Sequence, residues 1–221
     1  QGLASFLIGA DVRDIARLWD QMYRATLAYG RKGMALLAIS VADLALWDLL
    51  GQLRGEPVYR LAGGATRDKI KVYGTGPDPA VYQKRGFFGA KVPFPHGMAE
   101  GRKGLHGNIE AMARHRDAVG KDYPLMVDCY MSLDVPSALE FARAAEPLGL
   151  YWIEEALHPD DWDGYRQLKA AAPWVRWVTG EHEYTRWGFR ELVRERTIDI
   201  IQPDLMWTGG FSEGLRIASL A

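Results

Sequence analysis

Four acidic residues close short apolar runs at nearly even intervals: Asp128 in LMVDC, Glu154 in YWIEE, Glu181 in WVTGE and Asp204 in IIQPD. Successive members are 26, 27 and 23 residues apart. Side chains alternate along a strand, so Leu125 and Val127 on an apolar outer side leave Asp128 pointing inward. By the same reading Ile153 leaves Glu154 inward with Glu155 outward, and Val178 and Gly180 facing out leave Glu181 inward. Three inward carboxylates sharing one small volume repel one another unless a cation sits among them. An all-oxygen set suits Mg²⁺ or Mn²⁺, whereas zinc prefers His or Cys. A divalent ion with an open face polarises a substrate carboxylate and stabilises the enediolate formed when the adjacent carbon loses its proton.

Other residues could serve that chemistry. Lys91 in GAKVP ends an earlier apolar run and is placed to reach the same volume, or else to snorkel outward. Asp204 could orient and strengthen an imidazole on the next strand, although no histidine follows it within the 221 residues. His182 directly follows Glu181, so alternation turns it away from the carboxylates unless the chain bends; with Trp207 and Tyr130 it is a candidate for substrate contact. His96, His106, His115 and His158 suit solvated or capping roles. Glu155 suits a supporting hydrogen bond or ion pair. A glycine fragment, GTG at 74–76, lacks the remaining spacing of a dinucleotide loop.

The elements that must position these groups alternate after Gly63-Gly64. Strands are predicted near 70–75, 87–92, 125–130, 150–155, 175–181 and 198–203, with helices at 107–119, 136–146, 162–171 and 187–195. Strand alternating with helix implies parallel strands. Regular acidic strand ends favour a (β/α)-barrel, at about 31 residues per unit, over an open doubly wound sheet. Before the glycine pair, residues from about 11 to 55 carry two helical patterns, with Gly30 and Gly51 as candidate stops. The expected organisation is 1–64 as the helical part of an N-terminal capping domain and 65–221 as an incomplete, TIM-like barrel holding strands one to six.

Composition bounds the function classes. With 48% hydrophobic and 25% charged residues and a formal net charge of −1, the chain is an ordinary globular α/β sequence without the basic stripe that nucleic acid demands. No apolar run is read as reaching the roughly 18 residues of a membrane span. The single Cys129 allows no intrachain disulfide, and a cytoplasmic setting is the default expectation. The chain starts with Gln, and a six-stranded barrel would expose two long edges, so it is expected to be part of a longer protein.

The stretch AISVADLALWDLLGQLRGEPVYRLAGG at 38–64, followed by KVYGTG, VDC, WIEE, GEHE and QPDLMWTGG, resembles the enolase superfamily, in its mandelate racemase-like branch. DCYMSLD, WIEEALHPDDWDGYRQLK and GEHEYTRWGFREL look most like members that dehydrate L-rhamnonate. The resemblance implies an α+β capping domain joined to a modified barrel, Mg²⁺ dependence, homo-oligomers, and elimination of water from a sugar acid to give a 2-keto-3-deoxy product. It implies that Asp128, Glu154 and Glu181 are the magnesium ligands and that Asp204 pairs with a catalytic histidine on a seventh strand. Many relatives carry Lys-x-Lys on the second strand; here Lys91 matches the first and Pro93 replaces the second, which argues against two-base epimerisation. The alternatives are another enolate-forming enzyme, such as an epimerase or cycloisomerase, and a non-catalytic barrel remnant acting through protein interactions.

Overall fold

The computed structural model of the chain describes residues 2–221. These residues form two compact units, one built from Lys69–Thr179 with Arg196–Ile201 and the other from the described residues up to Asp68, with Gly180–Glu195 and Gln202–Ala221.

The first of these units holds a six-stranded parallel sheet: β1 (Tyr73–Thr75), β2 (Gly89–Pro93), β3 (Leu125–Asp128), β4 (Trp152–Glu154), β5 (Trp177–Thr179) and β6 (Ile200–Ile201). Each strand pairs in parallel with the next in sequence, the order of a barrel opened along one seam. This is the incomplete (β/α)-barrel that the strand–helix alternation implies. Helices Pro79–Lys84, Gly101–Val119, Val135–Ala145 and Trp162–Ala171 intervene. Three of them start where the local sequence supplies a cap. The side chains of Asp78, Asp134 and Asp161 accept from the backbone N–H of Ala80, Ser137 and Gly164, and Pro79 and Pro136 lie in the first turns of the helices that follow Asp78 and Asp134.

Register partners on a parallel ladder share a face. Lys91 pairs with Met126, Met126 with Trp152, Asp128 with Glu154, and Glu154 with Val178, so these side chains line one side of the sheet. Met126, Trp152 and Val178 form a buried cluster there, with Tyr73, Phe88, Tyr151 and Ile200 packed against it. The outward assignment of Val178 is therefore wrong. The strands are also shorter than the apolar runs predict: five of the six begin two or three residues later, and β3, β4 and β5 end at Asp128, Glu154 and Thr179.

The second unit is helical, with helices Ile15–Thr26, Met34–Arg54, Thr185–Glu195 and Gly210–Ala218 as its longer members. Trp19, Met22, Tyr23, Leu36, Ile39 and Tyr184 make its core; completely burying a side chain such as Met22, Leu36 or Ile39 contributes about 1.5–3 kcal/mol. Gly51 is not a helix stop. It is buried within Met34–Arg54, where a Cβ would come within 2.9 Å of the Glu56 carbonyl oxygen, and the helix ends instead at Gly55, whose φ is +65°. Read through, that helix spans 21 residues with a mean hydropathy of 1.8 over its most apolar stretch. By length and composition it is long and apolar enough to cross a membrane, contrary to the expectation. It also holds a fully buried Asp43, whose carboxylate accepts from the backbone N–H and the hydroxyl of Ser212, as a packed protein helix can.

Candidate metal centre

Asp128 and Glu154 are the last residues of adjacent strands and direct register partners. Between them lies the ammonium of Lys91, buried at 5% exposure and 3.0 Å from Asp128 Oδ2, with a second ion pair to Glu154 Oε1. Burial alone, the largest influence, would drive Lys91 towards neutrality. The charges of Glu154 and Asp128 outweigh it and hold the ammonium more firmly protonated than a free lysine.

The remaining carboxylate oxygens are anchored. Asp128 Oδ1 accepts from the backbone N–H of Tyr130 at 3.0 Å, and Glu154 Oε2 accepts from the indole N–H of Trp152 at 2.9 Å. Past the strand ends the two loops stay laced together: the N–H groups of Cys129, Met131 and Leu133 donate to the carbonyls of Glu154, Glu155 and Ala156. Tyr130, Met131 and Glu155 hold left-handed φ values of 49°, 57° and 47°. For residues other than glycine such angles cost about 1 kcal/mol each, and here they break the strands directly behind the two ligands.

Glu155 turns to the opposite face, buried, where the Thr179 hydroxyl donates to its Oε1 at 3.0 Å. Tyr165 packs beside it, its phenol pushed up mainly by burial and restrained by the Thr179 hydroxyl. Cys129 is completely buried; that burial, and then the negative charges of Asp128, Glu154 and Glu155, push its thiol far up.

Glu181 lies two residues beyond β5, and strict alternation from the inward Val178 would turn it outward. Gly180 breaks the alternation with φ +120°, a conformation that glycine alone adopts readily. One oxygen each from Asp128, Glu154 and Glu181 then lies within 4.8 Å of the others. The three carboxylates do converge, but through a glycine turn and not through the pleat.

The donor set is suited to a small hard cation. It offers only carboxylate oxygens, and the ammonium of Lys91 shows that two of the three acids accept positive charge at their shared edge. His182 stands edge-on to Trp207 with ring centroids 5.0 Å apart. Asp204 accepts from the backbone N–H of Met206 at 2.6 Å and so shapes the turn that carries Trp207. His96 pairs with Glu100, His106 approaches Glu140, and His158 accepts from the Asp160 N–H, roles of the capping and surface kind. The Trp152 contact was missed by the sequence reading, although its position two residues before Glu154 on one strand is the signal that could have found it.

Residues 1–63 match the family model described as Mandelate racemase / muconate lactonizing enzyme, N-terminal domain, and residues 64–221 match Enolase C-terminal domain-like. The chain is 51% identical over 220 residues to L-rhamnonate dehydratase of Saccharopolyspora erythraea, covering 99% of this chain and 56% of that protein. The crystal structure of L-rhamnonate dehydratase from Gibberella zeae superposes with a TM-score of 0.97 at 54% identity, over 100% of this chain and 56% of the other. Rhamnonate dehydratase of the same organism complexed with Mg gives 0.96 at 54% identity, over 99% and 54%. The chain thus spans about half the length of the relatives it matches. Across its whole length it belongs to the enolase superfamily, in the mandelate racemase / muconate lactonizing enzyme family.

Proposed function

We propose that this chain carries the magnesium centre of an acid-sugar dehydratase acting on L-rhamnonate or a closely related sugar acid. The observation that carries the reading is the convergence of Asp128, Glu154 and Glu181 within 4.8 Å, in a chain 51% identical to one L-rhamnonate dehydratase. These three residues hold the ion. Mg²⁺ bound there supplies the positive charge that stabilises an enediolate. Lys91, fixed as an ammonium at the same edge, meets the substrate carboxylate and adds a second positive charge where negative charge develops.

Loss of the C2 proton and departure of the C3 hydroxyl as water leave an enol that tautomerises to the 2-keto-3-deoxy acid. Asp204 is assigned to orient the histidine that the family resemblance places on a seventh strand. His182 and Trp207, ring against ring, are assigned to contact the substrate. Homo-oligomers and a cytoplasmic setting belong to the same proposal, on the family resemblance and on the unpaired Cys129. The test is to incubate the full-length protein with Mg²⁺ and a panel of sugar acids that includes L-rhamnonate. A 2-keto-3-deoxy product from L-rhamnonate or a near stereoisomer supports the reading; no keto product from any acid, with metal bound, overturns it.

A further inference from the structure

We infer that Trp152 is a positioning residue that makes Glu154 a one-oxygen ligand and so tunes the centre towards Mg²⁺ and against Ca²⁺. The inference rests on the reading of Asp128, Glu154 and Glu181 as a magnesium site. Trp152 and Glu154 sit two apart on β4 and share its inner face. The indole N–H donates to Glu154 Oε2 at 2.9 Å, while Oε1 is the oxygen turned to the Lys91 ammonium.

The indole has little room to release that bond. It is buried with Met126 and Val178, and it meets Tyr73 edge-on at a centroid distance of 5.1 Å and Tyr151 at 5.6 Å. A buried indole N–H keeps its acceptor because water cannot replace it. For Glu154 to bind a cation through both oxygens, Oε2 would have to swing towards the ion and share its lone pairs with this donor, which the packed indole opposes. Mg²⁺ takes few carboxylate oxygens in a strict octahedron and keeps waters, whereas Ca²⁺ gathers six to eight ligands and readily takes a carboxylate through both oxygens. A ligand held to one oxygen therefore suits the smaller ion. The donor also fixes the rotamer of Glu154 in advance, the kind of outer partner whose loss costs metal affinity about 10–100-fold.

The test is calorimetric titration of the full-length protein and of its W152F variant with Mg²⁺ alone and with Ca²⁺ alone. Phenylalanine keeps an aromatic ring but removes the donor. W152F should raise the Mg²⁺ Kd about tenfold while the Ca²⁺ Kd changes by less than about threefold, shifting discrimination towards Ca²⁺. Equal weakening of both ions, or no change in either, overturns the inference. Should W152F fail to fold, β-(benzothien-3-yl)alanine at position 152 replaces the N–H with sulfur at nearly constant shape, and the same two outcomes decide. Absence of Mg²⁺ binding by the unaltered protein would instead sink the magnesium reading itself, so the two failures are distinguishable.

Discussion

Lys91 Nζ lies 3.0 Å from Asp128 Oδ2, two strands' side chains meeting as an ion pair at the edge where a cation would also sit. The lysine balances charge that would otherwise be buried alone, since Glu154 is fully buried and pairs with the same ammonium. Removing one partner of a buried ion pair leaves the other uncompensated, at a cost of about 3–5 kcal/mol. Lys91→Met keeps an unbranched side chain one heavy atom shorter and deletes the charge. Without metal it should lower stability by about 3 kcal/mol in urea unfolding, and saturating Mg²⁺ should recover much of that loss. Equal loss with and without Mg²⁺ would contradict the charge-balance account.

Gly180 supplies the turn that carries Glu181 away from its pleat direction. At φ +120° a Cβ would lie 2.9 Å from Phe189 Cε1 and 3.2 Å from the backbone nitrogen of Gln202. Gly180→Ala should therefore destabilise the protein by about 2 kcal/mol or more and weaken Mg²⁺ binding in the same preparation. A mutant with normal metal affinity would show that Glu181 reaches its place by another route.

Asp43 makes stability depend on pH in a definite direction. Burial raises its carboxyl above the ordinary value, and the Ser212 hydrogen bonds only partly offset this. The folded state therefore holds its proton more tightly than the unfolded chain. Its contribution is fully present below the unfolded pKa and is lost as pH rises through the higher folded value. The stability advantage of the native protein over Asp43→Asn, measured by urea unfolding, should shrink as pH rises above the ordinary carboxylate range. A constant difference would show that folding leaves the Asp43 pKa unchanged, and an advantage that grows with pH would show that the fold favours the ionised form.

Cys129 is the one thiol of the chain, fully buried and held protonated. With an aromatic disulfide reagent at pH 8 the native protein should release almost no thiolate from this position. Denaturant should expose one equivalent from it. Rapid native labelling of Cys129 would show that the strand ends open far more than their hydrogen bonds suggest.

Much of this architecture can be read from residue order alone, and where the reading fails the reasons are local. Asp128 and Glu154 are legible because Val127 and Ile153 beside them are unambiguous outer-face residues, and the ladder keeps strict period to its end. Glu181 reaches the expected place although Val178 faces inward and not outward. Alternation assumes an unbroken strand, and the turn at Gly180 appears in sequence only as one glycine among many. Gly51 misleads in the opposite way, since it serves close backbone packing to Glu56 inside a helix and ends nothing. The bond from Trp152 to Glu154 depends on rotamers set by Tyr73 and Tyr151, which hydrophobic periodicity does not encode.

The convergence of three acids on one ion is tested most directly by calorimetric Mg²⁺ titration of the full-length protein beside Asp128→Asn, Glu154→Gln and Glu181→Gln. One ion should bind per chain, and each substitution should weaken it by about 100-fold, because each removes one of few charged ligands. Affinity unchanged in any of the three would remove that residue from the centre, and no Mg²⁺ binding by the unaltered protein would contradict the account as a whole.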